Sequence, residues 1–287
     1  LSMACAAAVA GLVGAATGQG FRETVLYIAM PMMSGGMGAG VVPLSGIYAD
    51  AAGLDKAAIV SQMIPASTIG NVLAILCAAL AAKLGRSIPA WDGHGRLMDQ
   101  TTAAPPAAPV TDPKGIGAGL LLSLAFFILG SLVSKVFPGI HAYAFMILLV
   151  VLCKVLGLVP SYYEQCAVRW SQFAMKNLTN GMLAGVGIAM LDLKVLVAAI
   201  TPRYLLICAS SVLTVALCAG LFGKWMGFYP VESAITAGLC TNSMGGTGNI
   251  AVLSAADRME LIPFAQIATR LGGACILIVS SFLVGLL

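Results

Sequence analysis

This sequence is short of charge. Asp, Glu, Lys and Arg make up 9% of its 287 residues, against a hydrophobic share of 60% and a mean hydropathy of +0.98. A soluble domain carries about a quarter charged residues, so a water-surrounded globule is excluded and a membrane-embedded chain is implied. The net charge of +4 is too modest to argue for a nucleic-acid partner. Histidine is rarer still: His94 and His141 stand far apart and give no metal-ligand spacing. The eight cysteines (Cys5, Cys77, Cys153, Cys166, Cys208, Cys218, Cys240 and Cys275) contain no CxxC and lie mostly in apolar runs. They read as small buried hydrophobes rather than disulfides or metal ligands. No Ser–His arrangement, HExxH or paired carboxylate lies in an apolar run, which leaves an intramembrane enzyme without its acid, base or nucleophile. Nor does the first apolar run, residues 1–18, have the basic start of a signal sequence.

What is present is a series of apolar segments. A helix needs about twenty apolar residues to cross the hydrocarbon core. Residues 57–84, 116–136, 141–158, 172–191, 203–222 and 264–287 approach or reach that length, and the fold class predicted is an all-α polytopic membrane protein. One stretch differs. Residues 86–114 carry Arg86, Asp92, His94, Arg96, Asp99, Asp112 and Lys114 around the Ala/Pro-rich centre 101–109. This is linker composition. With Lys83 beside it the loop is the basic one, which places it in the cytoplasm.

Two glycine clusters interrupt the apolar runs: Ser34-Gly35-Gly36-Met37-Gly38-Ala39-Gly40 and Met244-Gly245-Gly246-Thr247-Gly248-Asn249. The first lies between apolar arms 21–33 and 41–48, the second within 229–261, and each has proline nearby and a long apolar run after it. Irregular backbone at membrane depth is tolerated only where it is buried in protein or lines a cavity. A matched pair of such segments points to the binding site of a secondary transporter. Counting spans outward from the linker makes the two hairpins enter from opposite faces, as an inverted-topology repeat requires. The division that follows is 1–85 as the end of an N-terminal repeat (span, re-entrant hairpin, span), 86–114 as linker, and 115–287 as a C-terminal repeat (four spans, hairpin, span). Ala66-Ser67-Thr68-Ile69-Gly70 weakly echoes Ala268-Thr269-Arg270-Leu271-Gly272. Because one span precedes the first hairpin and four the second, at least three further spans are expected ahead of Leu1.

The chemistry follows from the turns. Helical arms that start at a glycine turn present unpaired N–H groups and a partial positive charge, which suit a carboxylate. The second arms are expected to start near Val41 and Ile250. The substrate-binding candidates are therefore Gly35, Gly36, Gly38, Gly245, Gly246, Thr247 and Gly248, with Arg270. An arginine inside the last apolar span costs about 2.5–3.5 kcal/mol on insertion scales, and its guanidinium matches a carboxylate in bidentate fashion. Asn242, Ser243 and Asn249 are neutral oxygen ligands for a coupling cation. Asp257, Arg258 and Glu260 read as a solvated cap, and Glu232 as a charge at a helix start.

At these residues the chain resembles a known family. Met30-Pro31-Met32-Met33-Ser34-Gly35-Gly36-Met37-Gly38-Ala39-Gly40-Val41-Val42-Pro43-Leu44-Ser45, and the stretch from Gly227-Phe228-Tyr229-Pro230-Val231-Glu232-Ser233 through Arg270-Leu271-Gly272-Gly273, are similar to the two GGxG hairpins of the 2-hydroxycarboxylate transporter family. The resemblance implies a homodimer in the bacterial inner membrane with an elevator-like movement. It also implies a di- or tricarboxylate substrate held by the glycine turns and Arg270, coupling to Na+ or H+, and no other cofactor. Where citrate–sodium symporters of that family typically have Arg before and Asp after the second GGxG, this chain has Met244 and Asn249. The GGTGN form resembles the malate and citrate/malate members.

Overall fold

A computed structural model describes residues 1–53, 55–98, 113–137, 142–178, 181, 185, 194, 197–198 and 200–284. The linker centre 101–109, His141 and most of the expected span 172–191 lie outside the described residues. The described residues are mostly helical, and among them four helices are long and apolar enough to cross a membrane: Lys56–Arg86, Pro113–Val136, Pro202–Trp225 and Met259–Leu283.

The chain divides into two compact units. The first comprises residues 1–103 and 190–276. It opens with α1 (Ser2–Ala16), followed by α2 (21–33) and α3 (37–52) on either side of the first glycine turn. α4 (Lys56–Arg86) is capped by Asp55, whose carboxylate accepts the Ala58 N–H at 3.1 Å. α8 (Pro202–Trp225) starts at Thr201, whose hydroxyl accepts the Tyr204 N–H at 3.2 Å. α9 (230–242) and α10 (Gly246–Ala256) flank the second glycine turn, and α11 begins at Ile262.

Both second arms start earlier than the sequence reading placed them, at Met37 and Gly246 instead of Val41 and Ile250. Only Gly35, Gly36 and Gly245 in the clusters take positive φ. The later glycines are compatible with helix and are already in the first turn of the arm. Three of the four arms carry a π turn, at Val25–Ala29, Met37–Val41 and Ala234–Gly238, and α9 ends in a 3₁₀ turn at Leu239–Asn242. Such irregular turns leave backbone groups off the regular ladder and recur at functional sites.

Small residues set the helix spacing. A Cβ on Gly14 would lie 2.0 Å from the Thr24 hydroxyl, one on Gly238 2.9 Å from Ala216 Cα, and one on Gly70 2.9 Å from Met32 Cε. Between them sit the large fully buried side chains Tyr48, Met32, Met33, Met63, Ile207 and Leu239. Tyr48 ties α3 to α2 by donating to the Leu26 carbonyl at 3.2 Å.

The second unit comprises residues 104–189 and 277–287. In it α5 (Pro113–Val136) packs on α6 (Ala142–Val155) and on α7 (Ser161–Phe173). Gly130 meets α6 and Gly119 meets the Cys166 carbonyl at distances no side chain would allow. Lys154 pairs with Glu164. The cysteines are all free, and only Cys166, Cys208 and Cys240 are buried. The reading of the others as buried hydrophobes is corrected: Cys5, Cys77, Cys153 and Cys218 are half-buried and Cys275 is exposed, as befits apolar helices whose outer faces meet lipid.

Candidate functional site

The two glycine turns touch. A Cβ on Gly36 would lie 2.6 Å from the Gly245 nitrogen and 2.7 Å from the Met244 carbonyl carbon, and one on Gly245 would lie 3.2 Å from the Gly35 carbonyl oxygen. The same point meets α11: a Cβ on Gly35 would lie 3.2 Å from the Thr269 carbonyl, and one on Gly273 2.5 Å from the Ser34 carbonyl. Ser34, Gly35, Gly36, Gly245, Thr269 and Gly273 thus converge from three separate parts of the chain.

Each turn is braced locally. Ser34 donates to the Pro31 carbonyl at 2.8 Å, and the Gly40 and Val41 N–H groups both reach the Gly36 carbonyl, at 2.9 and 3.0 Å. In the second turn the Asn249 N–H donates to the Gly245 carbonyl at 2.9 Å. Asn71, midway along α4, accepts the Met244 N–H at 3.0 Å. The first amides of α3 and α10 have no partner inside their own helices, and they belong to residues of both signature clusters.

The site has a buried and an open side. On the buried side Ser243 lies 2.5 Å from Asn249 Oδ1, and Asn249 Nδ2 donates to Thr269 Oγ1 at 3.0 Å. Thr269 Oγ1 is also 3.1 Å from the Cys240 carbonyl. Asn242 is 1% exposed, yet neither its Oδ1 nor its Nδ2 has a hydrogen-bond partner. A buried amide left unsatisfied costs about 1–3 kcal/mol. On the open side Gly38, Thr247 and Arg270 are exposed and Gly246 is half-buried. Gln266, one helical turn before Arg270 on the same face of α11, donates to the Gly246 carbonyl in a long 3.5 Å bond. Gly248 is buried, with space for a Cβ closed off by Asn71 and Ser243.

The structure therefore brings together Gly35, Gly36, Gly245, Gly248, Ser243 and Asn249, and it leaves Gly38, Thr247 and Arg270 exposed. Sequence reasoning missed Asn71 and Thr269. Each is a polar residue within an apolar helix, a kind of position that often marks function, and that was the available signal. The reading of Arg258 as part of a solvated cap is also corrected. Asp257 and Glu260 are exposed, but Arg258 is 6% exposed and pairs with Asp92 at 2.7 Å and Glu232 at 3.4 Å. Glu232, read as a helix-start charge, is fully buried. Among the described residues no group of three or more His, Cys, Asp or Glu is placed to hold a metal ion.

Comparison with known proteins adds what geometry alone does not. The model of the 2-hydroxycarboxylate transporter family matches residues 1–282. The chain is 48% identical over 288 residues to the citrate transporter CitP of Lactococcus lactis subsp. lactis, covering 99% of this chain and 64% of the relative. It is 48% identical over 279 residues to the malate transporter MleP of Lactococcus lactis subsp. lactis strain IL1403, covering 96% and 65%. It is 39% identical over 275 residues to the Na(+)-malate symporter of Bacillus subtilis strain 168, covering 94% and 61%. The chain thus spans a little under two thirds of the length of these relatives.

Proposed function

The chain belongs to the 2-hydroxycarboxylate transporter family, and from that premise we propose that it works in a secondary active transporter of malate, citrate or both, coupled to Na+ or H+. The observation that carries this reading is the meeting of two glycine turns beside Thr269 on α11, with one face buried and one open. Substrate carboxylates bind on the open face, to the free amides of Gly38, Gly246 and Thr247 and to the Arg270 guanidinium, with Gly35, Gly36, Gly245 and Gly248 keeping the turns close enough to act together. A coupling cation sits on the buried face among Asn242, Ser243 and Asn249; the orphaned amide of Asn242 supports that placement. We read α2–α3 and α9–α10 as re-entrant hairpins of an inverted repeat divided at 86–114. The hairpins move as a body in an elevator-like cycle within a homodimer of the bacterial inner membrane, surrounded by lipid.

One observation favours a second reading, exchange of 2-hydroxycarboxylates without sodium. Asn249 is neutral and hydrogen-bonded to both Ser243 and Thr269, so the buried face lacks the acidic charge that strengthens sodium binding.

Proteoliposomes loaded with malate and given labelled malate or citrate outside, with and without sodium, test the proposal. Saturable counterflow with no chemical change in the ligand is expected. Non-saturating flux would indicate a channel, and a modified ligand an enzyme; either would overturn the proposal. Acceleration by sodium decides between symport and sodium-independent exchange.

A further inference from the structure

Away from the glycine turns, three charged side chains are buried together. Arg258, two residues past the end of α10, is flanked by Asp92, on the segment that follows α4, and Glu232, at the start of α9. Their side chains are 7%, 0% and 0% exposed. Arg258 Nη2 donates to Asp92 Oδ1 at 2.7 Å and Nε to Glu232 Oε1 at 3.4 Å, while Nη1 donates to the Asp257 carbonyl at 2.9 Å. The segment Asp92-Gly93-His94-Gly95 wraps the glutamate. The Gly93 N–H donates to Glu232 Oε2 at 3.0 Å and the Gly95 N–H to Oε1 at 3.2 Å, with Gly95 and His94 both at positive φ. A side chain at position 93 would strike the Tyr229 ring and the Arg96 carbonyl. The result is a clasp that joins this segment to the first residues of α9 and the end of α10.

The charges do not balance. Two carboxylates face one guanidinium, and the effective cost of an uncompensated buried charge is several kcal/mol. Nor do the hydrogen bonds. Asp92 Oδ1 accepts from His94 N–H and Arg258, but Asp92 Oδ2 is buried against Gly85 of α4 with no hydrogen-bond partner. One proton repairs both faults.

We propose that Asp92 and Glu232 share a single proton, carried on the Glu232 carboxyl and donated to Asp92 Oδ2, which makes this clasp a proton-binding site separate from the glycine turns. Two acids in one site disfavour each other's ionisation, which raises one of them. The environment assigns the proton. Burial raises Glu232 above the usual carboxylate range, and the Gly93 and Gly95 N–H groups do not offset it. Burial also works to raise Asp92, but the His94 N–H, the Arg258 guanidinium and Glu232 outweigh it and hold Asp92 low. The other titratable groups facing the clasp are His94, whose Nδ1 lies 3.5 Å from Asp92 Oδ2, and Glu260, whose carboxylate lies against Gly95. The His94 side chain is 76% exposed.

Infrared spectroscopy of the protein in lipid nanodiscs, titrated in H2O and D2O, reads this proton directly. A deuterium-sensitive protonated-carboxyl band is expected to persist at neutral pH in the wild type and in the exposed control Asp55→Asn. It should be absent in Glu232→Gln, whose amide keeps one acceptor and gives a donor to Asp92, and absent in Asp92→Asn. A wild-type protein with no such band at neutral pH overturns the proposal, since both carboxylates would then be ionised. A band that survives both substitutions overturns it equally, because the proton would lie elsewhere.

Discussion

Substituting alanine for Gly36 tests the contact of the two turns. Gly36 holds φ at 103°, and the added Cβ would lie 2.6 and 2.7 Å from backbone atoms of Gly245 and Met244. Neither partner is a flexible side chain that could rotate aside. A non-glycine residue at such a φ costs about 1–3 kcal/mol, and forcing a methyl into a closed contact costs about 1–3 kcal/mol more. The total, roughly 2–6 kcal/mol, is relieved by parting the turns. Gly38 is the matched control, since it is exposed and a Cβ there meets nothing within 4 Å. Thermal unfolding and malate binding are measured on both variants. Gly36→Ala should lower the unfolding midpoint and abolish malate binding. Gly38→Ala should keep the midpoint and weaken binding, because its methyl stands where the proposed carboxylate site lies. A Gly36→Ala protein with both the midpoint and the malate affinity of the wild type would refute the reasoning.

Arg258→Ala removes the one cation between two buried carboxyl groups and should cost about 3–5 kcal/mol of stability, read as a lowered unfolding midpoint at neutral pH. The clasp also gives a pH dependence of two signs. Asp92 is held below its ordinary value of 3.8, so its contribution is present above that value and is lost as pH falls through the lower folded-state value; Asp92→Asn should flatten this acid limb. Glu232 is raised, so its contribution is present at low pH and declines as pH rises through its folded-state value, a decline that Glu232→Gln should remove from the same stability curve. Thr269→Val leaves Asn249 Nδ2 without its acceptor and should cost about 1–3 kcal/mol, seen in the unfolding midpoint. Asn249→Asp puts a charge beside Ser243 and Thr269 and should make malate uptake by proteoliposomes respond more strongly to sodium than in the wild type.

The helices and the glycine turns were legible because each leaves a local mark. A long apolar run has one stable form in a membrane, and clustered glycine beside proline marks backbone that leaves the helix. The exact starts of the arms were not legible, since a glycine with positive φ (Gly36, Gly245) and a helical one (Gly38, Gly248) look the same in sequence. Contacts across the chain were hidden as well. Asp257-Arg258-Met259-Glu260 has the composition of a surface turn, yet the partners of Arg258 lie 166 and 26 residues away. Only the folded chain brings the Asp92-Gly93-His94-Gly95 loop around Glu232. Asn71 could have been found as an amide deep in an apolar helix, but its pairing with the Met244 N–H, 173 residues on, could not.

The central claim, that Arg270 and the glycine turns hold a substrate carboxylate, is tested most directly by malate affinity. Arg270→Ala and Arg270→Lys are compared with the wild type in lipid nanodiscs, with unfolding midpoints as a check on the fold. A charge-assisted hydrogen bond is worth about 1.5–3 kcal/mol, so Arg270→Ala should weaken malate binding by about 10- to 150-fold at an unchanged midpoint, with Arg270→Lys between the two. Wild-type affinity in Arg270→Ala would make Arg270 an anchor at the membrane surface and contradict the account.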